Sequence, residues 1–391
     1  MSDDTAIIQD EIQSEAADAV VSAEDEKRYM ASQWTLMWRK FRKHKVALAG
    51  LAVLTVLYFV AIFCEFFSPY DPHRRFTELI FAPPQRIRIF DEGRLSRPFV
   101  YGLTGEYSME SFRWEYVVDP EKKYYVRLFD RGDEYQMWGL FTSNIHFIGI
   151  DEPEVGEDEM PPTMFLLGSD RMGRDLLSRI LYGARVSLSV GLIGIAISFV
   201  IGLIMGGVSG YFGGVADNII QRIIETIRCI PTLPLWMALS AALPATWSPL
   251  RVYFGITIVL SFRGWTGLAR VIRGQILALR EQDFTTAALV SGARPSAIIG
   301  EHLLPSCFSY ILVSLSLSIP GMILGETSLS FLGLGIRAPI ISWGVLLQSA
   351  QNMQTVAYNP WLMTPVLFVI VTVLAFNFVG DGLRDAADPY K

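Results

Sequence analysis

Lysine is nearly missing from most of this chain. After Lys122 and Lys123 none occurs until Lys391, and no Gly-Lys pair is present anywhere in the 391 residues. A phosphate-cradling P-loop needs that Gly-Lys step to reach its anion, so the chain cannot supply its own nucleotide-driven motor. Cysteine is scarce too. Cys64, Cys229 and Cys307 lie in or beside apolar segments and form no close-spaced pair. They read as small hydrophobes, with neither a disulfide nor a metal site expected. Residues 1–26 lack aromatics and are acidic, which predicts a disordered cytoplasmic tail over 1–33. No secretory signal is expected, because the first basic cluster comes late and no cleavage site follows the first apolar run.

Apolar residues are what the chain has in excess. They make up 51% of it, and mean hydropathy is positive, the balance of an integral membrane protein. The net charge of −6 is unevenly spread: the N-terminal tail and a long segment after the first apolar run are acidic, while the membrane half leans basic.

Arg39, Lys40, Arg42, Lys43 and Lys45 stand directly before the first apolar run. Such a cluster marks a cytoplasmic boundary under the positive-inside bias; a nucleic-acid patch is the other reading of a basic run. Six crossings are predicted. The clean ones are 46–63, 186–206, 252–271, 306–324 and 361–379. The third is less clean, because Asp217, Arg222, Glu225 and Arg228 precede Pro231 and Pro234 before the run to Leu243. Spacing of three puts Arg222, Glu225 and Arg228 on one helix face. Lining a water-filled vestibule and neutralising one another are both open, and the prolines suggest a broken helix beside a cavity.

Between the first two spans, residues 68–162 are aromatic-rich and full of Pro and Gly. Residues 123–129 and 134–138, with Asp130-Arg131-Gly132-Asp133 between them, predict a β-hairpin, and 145–150 another strand. If the chain starts inside, this β-containing insertion lies in the periplasm. Its aromatics (Trp114, Tyr116, Tyr124, Tyr125, Tyr135 and Trp138) suit a platform at the outer mouth of a pore, touching a partner; a self-contained small core is the plain alternative. Next come Gly168-Ser169-Asp170 and Gly173-Arg174-Asp175. Anion binding is one reading, and an interfacial elbow whose charges cap a helix and pair with each other is the other. Glu326, just past the fifth span, either contacts substrate or is a hydrogen-bonded interface residue.

A moderately polar loop, 281–305, separates the fourth and fifth spans. Thr286, Ala287 and Ala288, then Gly292 and Ala293, then Leu303-Leu304-Pro305, suit a short helix ending at a glycine turn. The alanines keep one helix face thin enough to sink into a cleft on another protein. An ordinary interhelical loop is the alternative. Six crossings put this loop and both termini on the same side.

From about Trp34 onward the chain resembles the second, C-type permease subunit of the dipeptide and oligopeptide ABC importers. The resemblance rests on Phe41-Arg42 with Lys45-Val46-Ala47-Leu48-Ala49-Gly50-Leu51, Leu167-Gly168-Ser169-Asp170 with Gly173-Arg174-Asp175, and Leu181-Tyr182-Gly183-Ala184-Arg185. It rests also on the 281–305 loop, Leu329-Ser330-Phe331-Leu332-Gly333-Leu334-Gly335 and Gly380-Asp381-Gly382-Leu383-Arg384-Asp385. Thr286 stands where that family usually has Glu, and the insertion is longer than in many members. The resemblance implies an all-α polytopic membrane protein of the type I ABC importer permease fold, with six transmembrane helices and a permease core over 163–391. It makes 281–305 a coupling loop whose Thr286, Ala287, Ala288, Gly292 and Ala293 meet an ATPase. Implied partners are a homologous permease, two cytoplasmic ATPases that carry ATP and Mg, and a periplasmic binding protein in a bacterial inner membrane. No cofactor, catalytic residue or nucleic acid is expected on this chain. Peptide is the expected cargo, with oligosaccharide or nickel as alternatives. A gated channel or a membrane-anchored receptor are the other classes, but no filter segment and no soluble output domain is evident.

Overall fold

A computed structural model of the chain describes residues 33–91, 94–110, 113–151, 162–244 and 246–387. Residues 1–32 of the expected acidic tail lie outside them.

After a short helix α1 (Gln33–Phe41), the first span is α2 (Lys45–Ile62), begun by His44, whose ring accepts a hydrogen bond from the Ala47 amide. Its 18 residues reach about 27 Å at ~1.5 Å per residue, close to the thickness of a bilayer core. One turn, α3 (Cys64–Phe67), follows. The membrane half continues with α4 (Leu176–Phe212), α5 (Gly214–Cys229), α6 (Thr232–Ala241) and α7 (Pro249–Leu279). A short helix α8 (Asp283–Val290) leads into α9 (Phe308–Phe331). Two short helices, α10 (Trp343–Gln348) and α11 (Met353–Tyr358), precede α12 (Thr364–Ala387). Among the described residues five helices are long and apolar enough to cross a membrane: α2, α4, α7, α9 and α12 with the 3₁₀ turn before it.

Several spans outrun their hydrophobic stretches. The second begins at Leu176, ten residues before Val186, because Asp175 caps it by accepting bonds from the Ser178 amide (2.7 Å) and hydroxyl (2.6 Å). Helix α7, expected as a span over 252–271, runs on through Arg273 to Leu279. Helix α9 extends past the expected Leu324 to Phe331, so Glu326 lies inside it, and Pro320 is housed within the helix.

Helices α4 and α7 lie side by side and run in the same direction. Tyr253 donates to Ser189, Ser261 to the Gly194 carbonyl, and Arg280 to the Tyr211 carbonyl, so both numberings rise together. At Gly206 the backbones nearly touch: a Cβ there would stand 2.6 Å from the Ala269 carbonyl oxygen, the close approach that small residues permit in membranes. Helix α5 runs the opposite way along α7, since Asp217 pairs with Arg273 at one end (2.6 Å) and the Ile227 and Ile230 carbonyls meet Arg263 further on.

The insertion is a four-stranded antiparallel sheet in chain order: β1 (Arg88–Asp91), β2 (Arg94–Ser108), β3 (Arg113–Met137) and β4 (Phe141–Ile150). Residue range 145–150 is strand, as expected, but the predicted hairpin at 130–133 is not a turn. β3 runs straight through it, and the extra residues are absorbed as a register shift between Arg131 and Tyr135. Asp133 is held there because its carboxylate accepts the Asp71 amide and pairs with Arg74 at 2.9 Å. The real turn comes at Trp138 and Gly139, both with positive φ (51° and 72°). The sheet is tied to the helical half through 76–85. Phe76 N donates to the Gly173 carbonyl, Phe81 N to Asp170, and Gln85 N to Phe165. Tyr70, Phe76, Leu79 and Phe165 are buried together there.

Candidate functional site

The 281–305 loop has the expected form. α8 spans eight residues, and Gly292 reverses the chain with φ +78°. Its amide donates to the Leu289 carbonyl (3.0 Å), and the Ala293 amide to Ala288 (3.1 Å), closing the helix through the left-handed residue that glycine adopts without strain. At the other end the buried Thr285 hydroxyl donates to the Leu279 carbonyl at 2.9 Å, fastening α8 to the end of α7.

The orientation differs from the sequence expectation. Ala288 and Ala293 turn inward and pack against the cluster of Ile272, Ile276 and Ile298. Helical periodicity explains this: Thr285 is buried, so Ala288, three residues on, shares its inward face. The thin face is used against the chain's own helices. Thr286, Ala287 and Gly292 are exposed, and Phe284 (43% exposed), Leu289 (58%) and Val290 (82%) project beside them. The sequence reading overlooked those three. No local signal could have found them, because which face turns inward is set by the tertiary bond from Thr285 to the end of α7.

Arg222, Glu225 and Arg228 all lie on the exposed side of α5, with Arg222 donating to Glu225 at 3.0 Å. Arg263 donates to the Ile227 (3.3 Å) and Ile230 (2.9 Å) carbonyls, which are orphaned where α5 stops before Pro231. The broken helix is held by this bridge.

Glu326 is fully buried. It accepts bonds from Ser187 on α4 (3.0 Å) and Ser330 on its own helix (2.8 Å). Ser187 in turn accepts the Trp343 amide of α10. The carboxylate thus sits in an interior polar junction of three elements. The Gly168–Asp175 stretch is an elbow of internal pairs: Asp170 binds Arg174 (2.6 Å) and lies 3.5 Å from Arg179. Burial pushes Asp175 up to about 6, against the bonds from Ser178.

Two family descriptions match these elements. Residues 198–390 match the binding-protein-dependent transport system inner membrane component, and residues 32–84 the N-terminal TM domain of oligopeptide transport permease C. The chain is 40% identical over 236 residues to the dipeptide transport system permease protein DppC of Bacillus subtilis (strain 168), covering 60% of this chain and 71% of that one. It is 41% identical over 232 residues to the oligopeptide transport system permease protein OppC of Haemophilus influenzae, covering 58% and 72%. The di/tripeptide transport system permease protein DppC of Pseudomonas aeruginosa (strain UCBPP-PA14) is 28% identical over 353 residues, 90% of each chain.

A multi-pass helical protein with a short helix between two spans is thereby a transport permease of the binding-protein-dependent class. Within that class the chain belongs to the C-type permease subunits of the dipeptide and oligopeptide ABC importers.

Proposed function

We propose that this chain forms one half of a translocation pathway for peptides, beside a homologous permease, and that α8 is where cytoplasmic ATPases dock. The binding protein that delivers the cargo would sit on the opposite side, with the insertion. Peptide is favoured because relatives 37–41% identical to this chain are named for dipeptide and oligopeptide transport.

The reading includes six crossings. α4 and α7 are parallel, so the chain between them must return through the bilayer. α5 and α6 travel that way, antiparallel to α7, with the α5–α6 break bridged by Arg263. Neither piece spans alone; α6 has only 10 residues. With six crossings α8 lies on the same side as the basic run before α2, and the sheet lies outside.

The observation that carries docking is the exposed apolar face of Phe284, Leu289 and Val290 on a helix anchored by Thr285 and closed by Gly292. Gly292→Glu forces a charged L-residue into a left-handed backbone, costing about 1–3 kcal/mol, while no neighbour lies within 4 Å of its Cβ. The variant should insert normally, lose co-purification with the ATPases and lose peptide uptake. Normal co-purification and uptake would remove α8 from the docking role.

A further inference from the structure

We propose that the tip of the β3–β4 hairpin rests in the lipid bilayer's outer interfacial zone, where Trp138, Leu140 and Phe141 contact acyl chains just below the headgroups. This rests on α2 being a membrane span.

The tip is fixed at the level where the first span ends. Trp138 donates its indole N–H to the Ile62 carbonyl at 2.8 Å, and Ile62 is the last residue of α2. That carbonyl and the Ala61 carbonyl also accept from Arg185, whose guanidinium pairs with Glu65. A charged pair and a tryptophan therefore mark the same height, as expected where hydrocarbon gives way to water. Aromatic rings join the tip to the span: Phe63 lies 5.3 Å from Trp138, and Phe66 lies 5.9 Å from Phe147.

The surface this creates is apolar and outward. Leu140 is 79% exposed and Phe141 54%, continuous with Val56, Phe59 and Ile62 along the exposed face of α2. Residues 135–145 contain no Asp, Glu, Lys or Arg. Leaving Leu and Phe side chains in water forgoes the gain of burying them. A protein partner would need orienting polar groups, yet the indole N–H is already committed within the chain. A bilayer needs none, and it already covers the adjoining face of the span. The hairpin would thus act as an outrigger that holds the sheet at a fixed tilt over the permease.

Single cysteines introduced by Leu140→Cys, Met109→Cys and Val56→Cys, in full-length protein lacking Cys64, Cys229 and Cys307, would carry an environment-sensitive fluorophore in phosphatidylcholine nanodiscs. Met109 is an exposed residue at the far β2–β3 end. At position 140 the fluorophore should be quenched by lipid bearing a nitroxide near its headgroup, with iodide quenching several-fold weaker than at 109. Position 56 should respond to a nitroxide deep in the acyl chain. Quenching by iodide at 140 as strong as at 109, with 56 still lipid-quenched, overturns the proposal and leaves the span intact. Protection of 140 that appears only when the partner permease is present also overturns it. Loss of lipid quenching at 56 would remove the span itself, and the proposal with it.

Discussion

The helical half and the sheet of the insertion bury themselves by opposite means. In the helices, small residues bring backbones together: Gly206 of α4 meets the Ala269 backbone, and Ser261 of α7 reaches the Gly194 carbonyl. In the insertion, large rings fill the space. Phe99 and Val100 are fully buried, and Tyr124 is packed with Val100, Ile150 and Met164. The difference follows from the solvent. Lipid gives helices no hydrophobic reason to associate, so close packing and hydrogen bonds must do it. A sheet in water gains by burying its rings. The helical half should therefore be intolerant of added volume, and the insertion of lost volume.

The largest effect should come from Gly206→Leu. Its Cβ alone would stand 2.6 Å from the Ala269 carbonyl oxygen and 2.8 Å from the Ile272 Cβ. Backbone cannot yield as a flexible side chain can, so the cost should reach or exceed the ~1–3 kcal/mol of an overpacked core. Monodisperse protein recovered in detergent should fall sharply, whereas Gly267→Ala, with nothing within 4 Å of its Cβ, should be recovered normally. Equal recovery of both variants would break the contrast.

Next in size is Glu326→Ala. It orphans the Ser187 and Ser330 hydroxyls in a buried junction, at roughly 1–3 kcal/mol for unsatisfied groups. Thermal stability should drop, and Glu326→Gln, which still accepts, should recover most of it. If Glu326→Ala keeps its melting point and loses only uptake, the carboxylate belongs to the pathway and the structural role is wrong.

How legible each region was follows from the same physics. Membrane spans announce themselves by composition, so α2 begins one residue before the expected Val46. Helix ends were hidden, because Asp175 and Ser178 extend α4 through polar residues that hydropathy alone reads as loop. The 281–305 loop was readable from Gly292, since a left-handed turn requires that residue. The facing of Ala288 was not, because inward or outward depends on which residue α7 anchors. In the insertion, Asp130 to Asp133 carried every local signal of a turn. A long-range contact with Asp71 and Arg74 overrode them, and nothing local reports a partner some 60 residues away. The buried junction at Glu326 was likewise invisible, since Ser187 and Ser330 acquire meaning only when α4 meets α9.

The joint between the two regions supplies a pH test. Burial raises Asp175 from 3.8 to about 6. A carboxyl whose folded pKa exceeds its unfolded value favours folding fully below the unfolded pKa, and that contribution is lost as pH rises through the folded one. Asp175's contribution to the melting point should therefore be greatest near pH 4 and decline through pH 6. Asp175→Asn should flatten that part of the profile, and an unchanged pH dependence would show that the carboxyl is not the titrating group.

The smallest effect belongs to the insertion and to Tyr116→Phe. The Tyr116 hydroxyl donates to the Ile80 carbonyl at 2.7 Å, and burial pushes its phenol up. Its ring is packed on the cluster of Tyr70, Phe76 and Phe165. Removing only the oxygen keeps that ring volume, which is what the sheet depends on. The loss should be one neutral hydrogen bond, about 0.5–1.5 kcal/mol, seen as a small drop in melting temperature with peptide uptake unchanged. Tyr116→Ala, which removes the ring as well, should cost more, because packing is lost in addition to the bond. If Tyr116→Phe proved as damaging as Tyr116→Ala, the bond to Ile80 rather than the ring would hold the sheet to the permease, and the contrast between volume-limited helices and ring-filled strands would fail at this joint.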